Sequence, residues 1–243
     1  MAVQDSAFSR KLMAFVRLSD DELAAVAELY GRRRKFPPGR DIVHQGQTHQ
    51  SAYILAEGWV CLYKILPNGA RQIVDFQIPG DFLGLRSVLF RTSDHNVEPL
   101  TPIEVSEIVP GDLLATFVTA PRLATAILWA ASRDESIVVE HLVGMGRRNA
   151  AERTAHLLLE LNARLRLVGM GDQSGYACPL SQYLLADALG LSAVHVNRVL
   201  RELREAGLVT FQNSKVTFDD FEGLMNFADF DRTYLDHEGP LLR

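Results

Sequence analysis

The stretch that most constrains this chain is residues 191–209, LSAVHVNRVLRELREAGLV, which carries a start signal, a stop signal and a single apolar stripe. Ser192 can accept from the free amides of a first helical turn, and Gly207 can take the left-handed conformation that ends a helix. At about 100° per residue Val196, Val199, Leu200 and Leu203 cluster on one side, while Val194, Arg198, Arg201 and Glu205 fall opposite. Such a helix buries the first set and leaves the second for water or a partner. Upstream, PLSQYLLADALG predicts a shorter helix capped by Ser181, with Leu184, Leu185 and Ala188 on its apolar side and Gly190 closing it. Downstream, LVTFQNSKVTF predicts two short strands around an Asn213-Ser214 turn. Helix, tight turn, helix and hairpin in that order describe a winged helix-turn-helix, whose second helix enters the DNA major groove.

The N-terminal half follows another rhythm. Residues 6–31 predict a helical pair, the second opened by the capping box Ser19-x-x-Glu22 and continued through Leu23, Val26 and Leu29. From Phe36 onward, YIL, WVCLYKIL, QIVDFQI and IEVSEIV alternate with Gly, Pro and Asn, the pattern of a barrel or roll built from hairpins. Gly39, Gly46, Gly58, Gly69, Gly80 and Gly84 fall at its turns. After Pro121, Ala124, Leu128, Ala131, Val138, Leu142 and Met145 follow a coiled-coil spacing interrupted only at Glu135. The GMG at 144–146 is expected to weaken that helix and form a hinge, with Asn149-x-x-Glu152 starting the next one. The tail DDFEGLMNFADFDRTYL is expected to turn Phe221, Leu224, Phe227 and Phe230 inward.

A chain of 243 residues has room for two cores, and the fold class read here is α+β: N-terminal β-roll, long dimerisation helix, C-terminal winged helix-turn-helix. The expected boundaries are residues 1–120 for the helices and roll, 121–148 for the dimerisation helix and hinge, and 149–243 for the DNA-binding domain and its tail. Net charge is −5, which argues against indiscriminate coating of nucleic acid. Charge is nevertheless distributed unevenly, with nine basic against six acidic residues between Arg147 and Lys215. Cys61 and Cys178 form no spaced motif, no signal-peptide pattern opens the chain, and no apolar run approaches the roughly 20 residues of a membrane helix. A soluble cytoplasmic protein without membrane contact is the expectation.

LADALGLSAVHVNRVLRELREAGLV resembles the DNA-binding region of the Crp/Fnr family of bacterial transcription regulators, and RTAHLLLEL at 153–161 resembles the first helix of that family's C-terminal domain. The spacing of Gly39, Gly46, YIL and Gly58 is similar to the cyclic-nucleotide-binding roll that forms the family's sensor, so the resemblance spans roughly residues 10–220. It implies a homodimer, built on Leu128, Ala131, Val138, Leu142 and Met145, that binds a palindromic double-stranded DNA site, with RNA polymerase as a further partner and no enzymatic activity. Arg198 matches the family's base-contacting arginine, suited to guanine O6 and N7. Val194 stands where the best-known members have glutamate, so contact with a thymine methyl replaces recognition of cytosine. Asn197 is placed to pair with adenine, and His195 lies further round the helix, for phosphate or packing. Ser181, Ser192, Arg201 and Lys215 are assigned to the DNA backbone.

The sensor departs from the family's pattern. Counting from Gly84, Leu85 occupies the place of the ribose-binding glutamate, and His95-Asn96 the place of the phosphate-binding Arg-Ser/Thr pair. Each lost hydrogen bond to a charged group is worth about 1.5–3 kcal/mol, so cyclic AMP is disfavoured as effector and no cofactor is expected, although Arg86 and Arg91 lie near enough in sequence to compensate. Two cysteines exclude a four-cysteine iron–sulfur cluster. His44, His49, His95 and Cys61 show no diagnostic haem spacing; Cys61 reads as a core thiol, and Cys178 as a position where oxidation would disturb DNA binding. Two rival readings stand beside this one. The first is a cupin-like β-roll metalloenzyme using His44, His49 and Glu57, against which the opposite strand parity of the two histidines argues. The second is a DNA-binding protein that answers to no small molecule.

Overall fold

One strand, β2 (Ala52–Glu57), shows how the N-terminal part is assembled. Its residues alternate between two cores: Ala52 and Ile54 pack with Phe8, Leu12, Val26, Leu29, Leu123 and Ile127 of the helices, whereas Tyr53 and Leu55 join Val43, Val60, Leu62, Val97, Ile103 and Val105 inside the roll. The period of two in a strand thus ties one layer to both cores. The computed structural model describes residues 5–48 and 51–238, in two compact units. The first runs to Lys64 and adds Asp75–Glu135 and the segment from Asp236; the second comprises Ile65–Val74 and Ser136–Leu235.

In the first unit α1 (Ala7–Phe15) is capped by Ser6, and α2 (Asp20–Leu29) opens with a complete Ser19–Glu22 capping box. Strands β1 (Arg33–Phe36), β5 (Phe82–Leu83) and β7 (Ile103–Ile108) join β2 in the order β1-β7-β2-β5. β3 (Val60–Ile65), β4 (Arg71–Gln77) and β6 (Asn96–Pro99) form a second sheet in the order β4-β3-β6. The pairings β1–β7, β7–β2, β2–β5 and β3–β6 are antiparallel, as in a roll of hairpins. All six glycines assigned to turns have positive φ. At Gly58 the need is steric as well, since a Cβ would lie 2.5 Å from the Pro102 carbonyl oxygen. Helix α3 (Pro110–Thr119) follows the roll, and α4 (Pro121–Arg147) follows α3.

The glycines at 144–146 do not break α4. It runs through them to Arg147, and the chain turns only before α5 (Ala150–Leu167), which Asn149 and Glu152 open with the capping box the sequence encodes. Two helical glycines cost roughly 1 kcal/mol each relative to alanine, and continued helical hydrogen bonding together with the packing of Met145 offsets this. Met145 lies so close to Gly190 that a Cβ there would be 2.6 Å from its methyl.

The second unit is built on α5, which packs against α6 (Gln182–Leu189), α7 (Ala193–Glu205) and α8 (Phe221–Phe227). The expected hairpin is present as β10 (Val209–Gln212) and β11 (Lys215–Phe218), with Asn213 and Ser214 at φ 52° and 55°. Two short strands that the sequence reading missed, β8 (Gly171–Asp172) and β9 (Gly175–Ala177), extend the wing to a sheet β10-β11-β9-β8. The tail needs a correction. Leu224 and Phe230 are buried, but Phe227 is 42% exposed. Phe227 is the last residue of α8, and the inner face continues from Leu224 to the buried Ala228 four residues on, which leaves Phe227 beside that face and not on it.

Charge is buried in α5. Glu160 is 0% exposed and accepts from Tyr234 Oη at 3.0 Å and from His141 Nε2 at 3.1 Å, with Arg164 Nη1 at 3.4 Å. His141 also directs Nδ1 at the Val74 carbonyl, 3.0 Å away. A doubly protonated ring donates to both acceptors at once.

Candidate nucleic-acid interface

Local sequence positions the outer helix. Ser192 Oγ accepts from the His195 amide at 3.2 Å, Gly207 at φ 69° closes the far end, and Val196, Val199, Leu200 and Leu203 are at most 7% exposed. Ser181 caps α6 by accepting from the Leu184 amide, and Gly190 at φ 61° turns the chain between the helices. Both serine hydroxyls still carry a proton to donate.

The opposite face of α7 is open to solvent. Val194 is 81% exposed, and Asn197, Arg198, Arg201, Glu202 and Glu205 are exposed on the same side of the helix. Arg198 and Arg201 face Glu202 and Glu205 at 3.6 and 3.9 Å, exposed i,i+4 pairs of the sort worth about 0.3–0.5 kcal/mol. Arg198 Nη2 also donates to His195 Nε2 at 3.0 Å. Asn197 Nδ2 donates to Gln182 Oε1 at 3.1 Å, across the turn from α6. Lys215 is exposed at the start of β11. Ser181, Ser192, Val194, His195, Asn197, Arg198 and Arg201 therefore lie on two adjoining helices, with Lys215 on the wing. Sequence reasoning missed Gln182 and the 75% exposed Tyr183; the only available signal was their place in the first turn of α6.

The sensor residues form a different group. Gly84, at φ 64°, caps the short turn Leu85–Val88. Asn96 is committed to structure, its Oδ1 accepting from the Gln45 amide at 2.9 Å. His95 is buried and pairs Nδ1 with Asp94 Oδ1 at 2.7 Å, while its Nε2 has no hydrogen-bond partner among the described residues. Burial holds the His95 ring below the usual imidazole range, against the pull of the Asp94 carboxylate. Burial would raise Asp94, but His95, Arg86 and Lys64 together hold it below the usual carboxylate range. Of the two cations that could have replaced the family's phosphate-binding arginine, Arg86 thus faces an acid of the protein at 3.8 Å, while Arg91 is exposed.

The remaining candidates are dispersed. Cys61 is wholly buried with Sγ 3.9 Å from Glu98, and Cys178 is wholly buried with burial pushing its thiol up to about 12, which disfavours the reactive thiolate. His44 is exposed beside Asp41, Glu57 is exposed at the end of β2, and His49 lies outside the described residues. Along α4, Leu128, Val138, Leu142 and Met145 are 62, 40, 72 and 41% exposed, and Ala131 is half-buried. No helix among the described residues is long and apolar enough to cross a membrane.

Comparison with known proteins agrees with both halves. Residues 33–126 match the cyclic nucleotide-binding domain and residues 152–227 the Crp-like helix-turn-helix domain. The nitrogen fixation regulation protein FixK of Bradyrhizobium diazoefficiens is 32% identical over 193 residues, covering 79% of this chain and 80% of that protein. The anaerobic regulatory protein of Haemophilus influenzae is 24% identical over 231 residues, 95% of this chain and 89% of that one. Among solved structures, FixK2 from Bradyrhizobium japonicum superposes with a TM-score of 0.72 at 24% identity, covering 80% of this chain and 96% of that one.

Proposed function

Because the chain belongs to the Crp/Fnr family, and is therefore a helix-turn-helix transcription regulator and not an enzyme, we propose that it binds a two-fold symmetric DNA site as a homodimer, with Arg198 reading a guanine in each half-site. The observation that carries this reading is the outer face of α7: an arginine at its centre, an exposed valine beside it and a buried stripe behind. A guanidinium donates twice to guanine O6 and N7, worth about 1–3 kcal/mol of discrimination. Val194 is suited to a thymine methyl, and Asn197 reaches a base only by giving up or sharing its bond to Gln182. Ser181, Ser192, Arg201 and Lys215 carry donors for phosphate, which position without specifying. The exposed apolar positions of α4 supply the dimer contact, and the regulated step brings RNA polymerase as partner in the bacterial cytoplasm.

The effector is a signal other than cyclic AMP. Leu85 offers no acceptor for a ribose hydroxyl, and the Asp94 carboxylate beside His95 repels a phosphate where the family holds one. Selection of bound sequences from a random DNA pool, wild type beside Arg198→Ala, tests the central claim. The expected result is a palindrome whose guanine preference relaxes roughly tenfold in the variant. Enrichment of the same guanine by both proteins refutes the assignment of Arg198.

A further inference from the structure

We propose that His195 aims Arg198, holding its guanidinium end-on and so setting the specificity of the site; the proposal rests on the reading of Arg198 given above. Arg198 leaves α7 on a face with no buried wall to fix a long side chain, its own being 57% exposed. Two groups of its helix hold it instead. One turn toward the N-terminus, His195 Nε2 accepts from Nη2 at 3.0 Å; one turn toward the C-terminus, Glu202 Oε1 stands 3.6 Å from Nε. A guanidinium has five N–H donors. One on Nη2 goes to His195 and that on Nε faces Glu202. Both hydrogens of Nη1 and one of Nη2 remain for DNA, and with His195 on the Nε-side hydrogen of Nη2 they form the tip of the fork, the edge that matches guanine O6 and N7.

His195 is itself restrained. The residue is half-buried, and its amide donates to Ser192 Oγ at 3.2 Å, the bond that caps the helix. Glu202 is half-exposed and its attraction is weakly directional, so the direction of the fork comes from His195. An arginine already ordered before binding loses less conformational freedom when it meets the base.

The test uses the full-length protein and a duplex carrying its selected site, with the contacted guanine left intact or replaced by 7-deazaguanine, which lacks N7. Wild type is expected to lose about tenfold in affinity on that replacement and Arg198→Ala almost nothing. His195→Leu, with an unchanged circular dichroism spectrum, is expected to lose only about twofold to threefold, while its affinity for a scrambled duplex stays at the wild-type level. His195→Gln, whose amide oxygen can accept from Nη2, is expected to recover most of the penalty. A full tenfold penalty in His195→Leu overturns the proposal and leaves Arg198 as the reader. Equal loss on selected and scrambled DNA, with the penalty intact, assigns His195 to phosphate and also overturns it. A full penalty in Arg198→Ala removes the underlying reading together with the proposal.

Discussion

At the scale of single residues, buried charge on α5 dictates how this protein meets acid. Burial alone would raise Glu160, but His141 and Arg164 outweigh it and hold the carboxyl near 2, against 4.5 when free. Burial lowers His156 to about 4 from 6.5, Arg148 adding to the effect while Glu160 and Glu140 oppose it. Both folded values lie below the unfolded ones, so both groups stabilise the fold above their unfolded pKa and lose that contribution as pH falls through the folded value. Stability of the second unit is therefore expected to decline in two steps, the first between about 6.5 and 4 from His156 and the second between about 4.5 and 2 from Glu160. Each step is on the order of a few kcal/mol. Urea titrations at pH 7 and pH 5 check the assignment: His156→Leu is expected to flatten the fall between them, and an unchanged fall places the first step elsewhere. The same scale explains why the sensor is hard to read from sequence. Arg86 looked free to bind a phosphate until its nearness to Asp94 was visible.

At the scale of elements, the helix ends are where local chemistry speaks most clearly. Ser6, Ser19, Asn149, Ser181, Ser192 and Asp220 all cap helices through their side chains, and four of these caps were legible as motifs. The wing turn was legible too, although its second residue is unfavourable. Ser214 holds φ 55° where glycine pays no steric penalty. Ser214→Gly is expected to stabilise the second unit by about 0.5–1 kcal/mol, the relief of a left-handed residue less the extra chain entropy of glycine. A chemical denaturation midpoint that moves down instead would mean that the serine hydroxyl contributes more than the backbone strain costs. The persistence of α4 through Gly144 and Gly146 is the converse lesson: propensity is a weak prior, and a residue such as Met145 packed on the turn of another motif overrides it.

At the scale of the whole molecule, the apolar positions left in solvent along α4 are those the proposed dimer would cover. Leu142 is 72% exposed, so Leu142→Asp removes nothing from the fold of the monomer. It is expected to leave thermal stability at low protein concentration unchanged while shifting sedimentation toward the monomer. Affinity for the palindrome should fall by on the order of a hundredfold, since the second half-site no longer binds as an intramolecular event. Tight palindrome binding by a demonstrated monomer would defeat the dimer reading. The boundary between the two compact units falls within α4, between Glu135 and Ser136.

By itself the sequence determined much of what depends on neighbours within a turn or two: four of the six side-chain caps, the period of two in the roll and of 3.6 in α7, and the glycines that must turn, though not the course of α4 through Gly144 and Gly146 or the end of α8. Those features add up along the chain, and together they sufficed for the fold class and for the face of α7 turned to solvent. Tertiary structure alone decided what distant segments do to one another. It buried Glu160 against His141 and Tyr234, set Asp94 against Arg86, tied Asn197 to Gln182 and left Phe227 outside. The reason is physical: the strength and direction of a charge or a hydrogen bond depend on burial and on which donor faces which acceptor, and neither is a property of sequence spacing.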